Sequence, residues 1–145
     1  PTGLVAVYKW NKDIILHELI YDTNLTNSKL VEKMKALNVD EYVDIIADSS
    51  DPKSIQDLSD LGFPNIYGAR KGPDSISYGI SKMQEYKIWI TSTSSNAIKE
   101  FRAYKWDTDI NGKSTGKPVD RDNHIIDPAR YVVSDRVGQS KVKIY

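Results

Sequence analysis

The sequence predicts a single α/β domain whose mixed sheet opens with an antiparallel hairpin, continues with parallel strands and is flanked by helices. Two apolar segments separated by a short polar turn stand at the start of the chain. Short apolar runs then alternate with stripes of apolar residues at helical spacing, which favours parallel pairing through helical crossovers. The length of 145 residues is that of one domain, so we expect one domain over residues 1–145.

The opening hairpin consists of predicted strands over residues 4–10 and 14–21, with Asn11-Lys12 as the tight turn. A first helix follows, for which Asn24 and Thr26 are candidate N-caps. Its predicted buried face has apolar residues at helical spacing, namely Leu30, Val31, Met34 and Leu37.

The middle of the chain alternates strands and helices. The apolar run 42–48 predicts a strand that ends at Asp48, and Asp51-Pro52 then supplies an N-cap and a first-position proline for the second helix. Further strands are predicted at 65–69 and 87–90, with a helix opened by Gly72-Pro73 between them.

The last third of the chain predicts two helices and a long loop. Ala97, Ile98 and Phe101 mark a helical face, and residues 102–106 form a possible edge strand. The segment from Asp107 to Asp120 is predicted to be a loop because it is rich in glycine, proline and polar residues. A final helix has an apolar face made of Ile125, Ile126, Ala129, Val132 and Val133.

Composition excludes several function classes. The absence of cysteine excludes a disulfide scaffold, a cysteine nucleophile and thiolate zinc sites. No apolar run approaches the roughly 18 residues of a membrane span, so a soluble, intracellular domain is expected. The net charge of zero means that any binding to nucleic acid must use a local patch.

The acidic residues are 15 Asp and only 5 Glu. Such a bias is typical of turns and helix caps, and it also suits hard divalent cations, which prefer carboxylate oxygen. Asp48 is the first candidate ligand, because it ends an apolar strand just before a helix, where open α/β sheets present functional groups. The alternatives are that Asp48 is a turn residue and that Asp51 only caps the helix.

The second candidate cluster lies at residues 120–127. His124 and Asp127 are three residues apart and therefore neighbours on a helical face. Together with Asp120 or Asp122 they could gather oxygen and imidazole ligands around a cation. Alternatively, Asp122 caps the helix and His124 is a surface or half-buried histidine.

Three segments together resemble one protein family. They are Ala47 to Ile55 (ADSSDPKSI), Arg70 to Ile76 (RKGPDSI) and His124 to Tyr131 (HIIDPARY). In order and spacing they resemble the C-terminal nuclease domain of the large terminase subunit of tailed bacteriophages. The opening residues 1–7 and the segment 18–23 resemble its first two strands.

This resemblance implies an RNase H-like fold and an endonuclease that cuts concatemeric viral double-stranded DNA during genome packaging. It places the second acidic metal ligand of the family on Asp48 and the last on Asp127, with two Mg²⁺ or Mn²⁺ ions in the complete domain. His124 matches a histidine of some members and would orient water or a phosphate oxygen. The first acidic ligand of the family would precede Pro1, so we expect the chain as given to cleave weakly or not at all.

Binding to the DNA backbone requires local positive charge. The basic residues in or beside predicted loops, which are the candidates for such a patch, are Lys53, Arg70, Lys71, Lys113, Lys117 and Arg121. Alternatively, they are solvated loop charges.

The resemblance also implies partners: an upstream ATPase domain, the portal and the small terminase subunit, in the cytoplasm of the bacterial host and without a membrane. Two other functions remain open at this point. The chain could be another RNase H-like nuclease, such as a junction resolvase or a transposase-like nuclease. It could also be a DNA-binding or packaging-motor docking module that does not cleave.

Overall fold

A computed structural model describes residues 1–119 and 121–137 of the chain. In chain order, its elements are β1 (Thr2–Trp10), β2 (Asp13–Asp22), α1 (Asn27–Ala36), β3 (Ile45–Ala47), α2 (Pro52–Asp60), β4 (Ile66–Gly68), α3 (Ser75–Gln84), β5 (Lys87–Ile90), α4 (Ser95–Ala103), β6 (Trp106–Thr108), β7 (Ser114–Pro118) and α5 (Ile126–Asp135). Within this described part, no helix is long and apolar enough to cross a membrane.

The central sheet has the strand order β1-β2-β5, with β1 antiparallel and β5 parallel to β2. The predicted hairpin is therefore present, and its pairing is interrupted by one irregularity. Leu4 pairs with Ile20 whereas Val5 pairs with Glu18, so one extra residue of β2 bulges out between them. Glu18, next to this bulge, accepts hydrogen bonds from Asn96 and Ala97 of α4.

A second, smaller sheet pairs β3 and β4 in parallel over three residues each. The predicted strand over 42–48 is shorter than expected because its first residues form a turn. The side chain of Asp40 accepts a hydrogen bond from the backbone N–H of Tyr42, and the N–H of Val43 donates to the carbonyl of Asp40. These local bonds take the place of strand pairing.

The main core lies between the central sheet and α5. Val7, Ile14 and Leu16 of the hairpin are fully buried. The predicted apolar face of the last helix is confirmed: its buried members are Ile125, Ile126, Ala129, Val132 and Val133. The packing of α5 against the central sheet fixes the start of α5 relative to β1.

Two predictions for the last third of the chain are wrong. The segment from Asp107 to Asp120, predicted as a loop, contributes to the antiparallel pair β6 and β7 over its described residues. The connecting turn is formed by Asp109, whose side chain accepts from the N–H groups of Asn111 and Lys113. The pair was missed because its strands are polar and lack an apolar alternation. The edge strand predicted at 102–106 starts only at Trp106, because α4 extends to Ala103 and two residues then connect it to β6.

The third helix also starts later than predicted. Gly72-Pro73 was expected to open it, but α3 begins at Ser75 after Asp74, whose φ is +63°. Asp74 makes no side-chain capping hydrogen bond to α3. By contrast, the predicted N-cap Thr26 accepts from the N–H of Lys29 at 3.2 Å.

Candidate functional site

Residues from the two predicted clusters line one cavity of about 750 Å³. Asp48 enters it from the end of β3, and His124 and Asp127 enter it from the start of α5. The first residues of the chain, Pro1 to Gly3, line the same cavity. Asp48 and Asp127, which are 79 positions apart in the sequence, thus line the same cavity.

Asp48 is held by its own loop and by one lysine. Its Oδ1 accepts from the backbone N–H of Ser50 at 2.9 Å and pairs with the ammonium of Lys71 at 2.5 Å. The Asp48 side chain is 54% exposed. The hydrogen bond from Lys71 is the main reason why the pKa of the Asp48 carboxyl lies below its usual value.

Asp51 has the capping role that the sequence predicted. Its Oδ1 accepts from the N–H of Ser54 at 3.1 Å, its Oδ2 accepts from the Ser54 hydroxyl at 2.7 Å, and Pro52 follows at the first helical position. Asp51 therefore fixes the start of α2 next to Asp48. It also lines the cavity.

Asp127 lies in the first turn of α5, where the helix dipole favours a negative charge. Its Oδ1 accepts from Nη2 of Arg130 at 3.1 Å. The side chain of Arg130 is only 7% exposed and that of Asp127 is 28% exposed. The carboxylate of Asp127 is thus anchored on a buried guanidinium.

Both carboxylates act on the same two side chains. The pKa of Lys71 is raised, first by its hydrogen bond to Asp48 and also by the charges of Tyr131, Asp48 and Asp127. The pKa of Tyr131 is raised by burial and then by the charges of Asp127 and Asp48. The Lys71 ammonium lies 5.9 Å from the centre of the Tyr131 ring. The charges of Asp48 and Asp127 thus both contribute to the raised pKa values of Lys71 and Tyr131.

The residue that holds the segment before Asp127 was not predicted from the sequence. Glu100 of α4 is 3% exposed and accepts backbone hydrogen bonds from His124 at 2.8 Å, Ile125 at 2.8 Å and Ile126 at 3.1 Å. The available signal was its spacing: Glu100 comes three residues after the fully buried Ala97 and therefore lies on the buried face of α4.

Two residues of the opening hairpin complete this support. The Tyr21 hydroxyl donates to Glu100 Oε1 at 3.2 Å, and the Tyr21 ring meets the His124 imidazole edge-on at 5.9 Å between centres. Burial, followed by the charge of Glu100 and its hydrogen bond, raises the pKa of Tyr21 to about 12. Gly3 approaches so closely that a Cβ there would lie 2.1 Å from the His124 carbonyl oxygen.

Carboxylate oxygens of Asp48 and Asp127 are the ligand type that Mg²⁺ and Mn²⁺ prefer. Within residues 1–119 and 121–137, no group of three acidic, histidine or cysteine side chains is close enough to hold a metal ion. Asp120, the other candidate, lies outside the described residues. Asp122 precedes α5 with a φ of +50°, and the N-cap of that helix is Ile125. By ligand chemistry Asp48 and Asp127 suit a divalent cation, and their metal-binding roles stay predictions.

The predicted DNA-binding residues are all exposed and lie on several elements. Lys71 is paired with Asp48, and the backbone N–H of neighbouring Arg70 donates to Asp135 at 3.3 Å. The remaining positions are Lys53 in the first turn of α2, Lys113 in the turn before β7, Lys117 in β7 and Arg121 ahead of α5. Of the six, Lys71 is the one paired with Asp48, and the charge of Asp127 also contributes to its raised pKa.

Comparison with known proteins identifies a family. A family model described as the terminase RNase H-like domain matches residues 4–135. The chain is 31% identical over 148 residues to the terminase large subunit of Bacillus phage SPP1, covering 97% of this chain and 35% of that protein. It is 27% identical over 132 residues to the PBSX phage terminase large subunit of Bacillus subtilis strain 168, covering 90% and 30%. The chain therefore spans about a third of the length of these relatives.

Solved structures confirm the predicted fold class. The crystal structure of the g2p (large terminase) nuclease domain from bacteriophage SPP1 with bound Mn matches with a TM-score of 0.76 and 32% identity, covering 90% of this chain and 77% of that one. The structure of a large terminase from a thermophilic bacteriophage matches with a TM-score of 0.65 and 20% identity, covering 91% and 39%. The second match supports the fold alone.

Proposed function

We propose a function from one premise: the chain belongs to the terminase RNase H-like domain family. The proposed function is that of a divalent-metal-dependent endonuclease domain that cuts concatemeric viral double-stranded DNA during genome packaging. One observation carries it for this chain. Asp48 and Asp127 come from remote segments, line the same cavity and act on the same lysine and tyrosine. The manganese in the related SPP1 nuclease domain supports the use of a divalent cation.

In this proposal Asp48 and Asp127 hold the metal, with two ions in the complete domain. When bound, the cations activate water and neutralise the charge that develops on the leaving oxygen of a phosphodiester. His124 orients the water or a phosphate oxygen from the side of α5. Lys71 supplies positive charge beside both carboxylates, where it can meet the DNA backbone once a cation replaces it on Asp48.

We further propose that a third acidic ligand enters the cavity from residues that precede Pro1 in the complete protein. The support is the position of Pro1 and Thr2, which line the cavity together with Asp48 and Asp127. A strand extended backwards from β1 would carry its side chains toward the same space. On this proposal the chain as given cleaves weakly or not at all.

The experiment compares metal-dependent nicking of plasmid DNA by the chain as given and by the complete gene product. In the complete product, Asp48→Asn and Asp127→Asn should each reduce Mn²⁺-dependent cleavage to background, because each removes a charged oxygen ligand. Both variants should keep a melting temperature close to that of the parent. Asp60→Asn at the exposed end of α2 is the matched control and should keep parental cleavage.

Each outcome decides one part of the proposal. Near-parental cleavage by Asp48→Asn or Asp127→Asn would contradict the site assignment. Strong nicking by the chain as given would contradict the third-ligand proposal. If the complete product binds DNA but never cuts it with Mn²⁺ or Mg²⁺, the domain is a non-cleaving DNA-binding or docking module.

We propose that the exposed basic residues around the cavity contact the DNA backbone, with Lys71 and Arg121 as the residues to test first. The double variant Lys71→Ala/Arg121→Ala should weaken DNA binding and lower the slope of log K against log salt by about 0.9 for each phosphate that is no longer neutralised. The measurement is a salt titration of DNA affinity without divalent metal. Lys12→Ala/Lys87→Ala, at the hairpin end remote from Pro1, is the control. An unchanged slope in the Lys71/Arg121 variant would remove these residues from the DNA surface.

The remaining proposals follow from the relatives, which are large terminase subunits. We propose that the complete protein joins this domain to an upstream ATPase domain and assembles with the portal and the small terminase subunit. Such an assembly would work in the cytoplasm of the bacterial host.

A further inference from the structure

We propose that Glu100 is a positioning residue, which holds the segment from His124 to Asp127 in the geometry that binds metal. This inference rests on the proposed function, because it assumes that Asp127 is a metal ligand. It assigns a role to a buried carboxylate that itself does not touch metal or DNA. Glu100 reaches the site only through the backbone of α5 and the residues just before it.

Both carboxylate oxygens of Glu100 accept hydrogen bonds, each from two donors. Glu100 Oε1 accepts from the His124 N–H and the Tyr21 hydroxyl, and Oε2 accepts from the N–H groups of Ile125 and Ile126. The first turn of a helix leaves its N–H groups without intrahelical partners. Glu100 therefore satisfies the N–H of Ile126 in the first turn of α5 and those of His124 and Ile125 just before it, whereas Ile125 at the N-cap position has no side-chain oxygen for this role.

Burying the carboxylate of Glu100 away from water costs free energy that its surroundings must offset. Glu100 is 3% exposed, and among the ion pairs of the described residues none involves it. A buried carboxylate without a cation is tolerated when several hydrogen bonds and a helix dipole compensate it. The start of α5 supplies both, so the charge of Glu100 ties α4 to the segment that carries His124 and Asp127.

Helix α4 is itself anchored to the central sheet by hydrogen bonds to a glutamate. Glu18 of β2 accepts from the Ala97 N–H and from the Asn96 amide, both at 2.8 Å, and its own N–H donates to the Ser94 hydroxyl. Glu18 adjoins the bulge in β2. The half-buried Glu18 thus connects the central sheet to α4. The buried Glu100 connects α4 to the start of α5, where His124 and Asp127 lie.

The test uses Glu100→Gln in the complete gene product. Glutamine keeps the size of the side chain, but its NH₂ group replaces an acceptor where N–H groups converge, so the start of α5 loses at least one hydrogen bond. Substitution of a residue that orients a metal ligand without touching the metal typically lowers metal affinity or activity by about 10- to 100-fold. We expect the Mn²⁺ dissociation constant to rise by about tenfold or more.

Three readouts separate positioning from general destabilisation. Free Mn²⁺ is measured by electron paramagnetic resonance, the Mn²⁺ concentration for half-maximal nicking is measured at a temperature well below unfolding, and amide hydrogen exchange is measured at residues 124–126. Glu18→Gln is the matched control, because its amide can still accept from Ala97 and face Asn96. The control should leave both Mn²⁺ measurements at parental values.

Weaker Mn²⁺ binding and faster exchange at 124–126 in Glu100→Gln, with parental values in Glu18→Gln, support the proposal. If Asp127→Asn abolishes Mn²⁺ binding but Glu100→Gln binds Mn²⁺ as tightly as the parent, the positioning role of Glu100 is overturned. Parental Mn²⁺ binding by Asp127→Asn instead overturns the proposed function. If Glu100→Gln does not fold, Tyr21→Phe removes one donor from Oε1 and should weaken Mn²⁺ binding by a smaller factor; unchanged binding would overturn the positioning role.

Discussion

The two halves of the candidate site are built differently. Asp48 is 54% exposed and pairs with Lys71, which is 44% exposed, whereas Asp127 is 28% exposed and pairs with Arg130, which is 7% exposed. Asp48 is further held by a backbone N–H only two residues away, whereas the segment before Asp127 is held by Glu100, 24 to 26 residues away. One carboxylate is fixed by its own loop and the other by the core.

The helices next to the two carboxylates, α2 and α5, also differ in how deeply they are buried. Within α2, which follows Asp48, no residue is buried, and the adjoining strand β3 has three residues. Within α5, which carries Asp127, six residues are buried against the central sheet and α3. We infer that the core holds the Asp127 half in place, and that a cation bound by Asp48 would take the place of Lys71 on that carboxylate.

The largest effect expected from this difference comes from Gly3→Ala. A Cβ at Gly3 would lie 2.1 Å from the His124 carbonyl oxygen and 3.1 Å from Ile125 Cδ1, so β1 and the start of α5 must move apart. Overpacking of this kind typically destabilises by about 1–3 kcal/mol. We expect a lower melting temperature and weaker Mn²⁺ binding, measured by calorimetry and by titration of the complete gene product.

Gly72→Ala is the matched control for Gly3→Ala. A Cβ at Gly72 would meet no atom within 4 Å among the described residues, and its backbone is not in the left-handed region. The control should change stability by less than about 0.5 kcal/mol. Equal effects of the two substitutions would contradict the rigid contact between β1 and the Asp127 half.

The sequence predicted the parts of the site that depend on local signals. Asp48 at the end of an apolar strand and Asp51-Pro52 at a helix start are read from neighbouring residues, and the structure has Asp51 at the N-cap of α2. The apolar stripe of the last helix predicted which face of α5 is buried, so Asp127 could be placed at its start. The metal-binding and catalytic roles of Asp48, His124 and Asp127 stay predictions.

The residues that support Asp127 could not be predicted in the same way. Glu100, Tyr21 and Gly3 act through contacts with segments 24 to 121 residues distant, and those contacts exist only after α4, α5 and β1 have packed. A glutamate on a helix is ordinarily a surface residue. The spacing of Glu100 from Ala97 indicates the buried face of α4, but it does not indicate which helix start Glu100 contacts. The polar pair of β6 and β7 was missed for a related reason, because strand pairing between polar residues leaves no apolar alternation.

The smallest expected effect concerns the exposed half, through Lys71→Met in the metal-free protein. Lys71 lowers the pKa of Asp48 and has its own pKa raised, chiefly by their mutual hydrogen bond. The substitution should therefore raise the pKa of Asp48, measured by NMR titration of aspartate carboxyl carbons. Lys33→Met is the control, because Lys33 is the main cause of the lowered pKa of Asp22. It should raise the Asp22 pKa and leave that of Asp48 unchanged.

The sign of the stability change follows from the same pair. Because the folded-state pKa of Asp48 is lowered, its contribution is present above the unfolded value of about 3.8 and is lost as pH falls through the lower folded value. Lys71 contributes below its unfolded value of 10.5 and loses that contribution as pH rises through its higher folded value. Lys71→Met should thus lower the free energy of unfolding at pH 7 by less than about 1 kcal/mol, since the pair is exposed and screened.

The difference in free energy of unfolding between Lys71→Met and the parent should vanish once Asp48 is protonated in the folded state. A destabilisation that persists at such low pH would mean that Lys71 stabilises the fold by packing on Tyr131, and that the exposed half is less dependent on charge than its ion pair indicates.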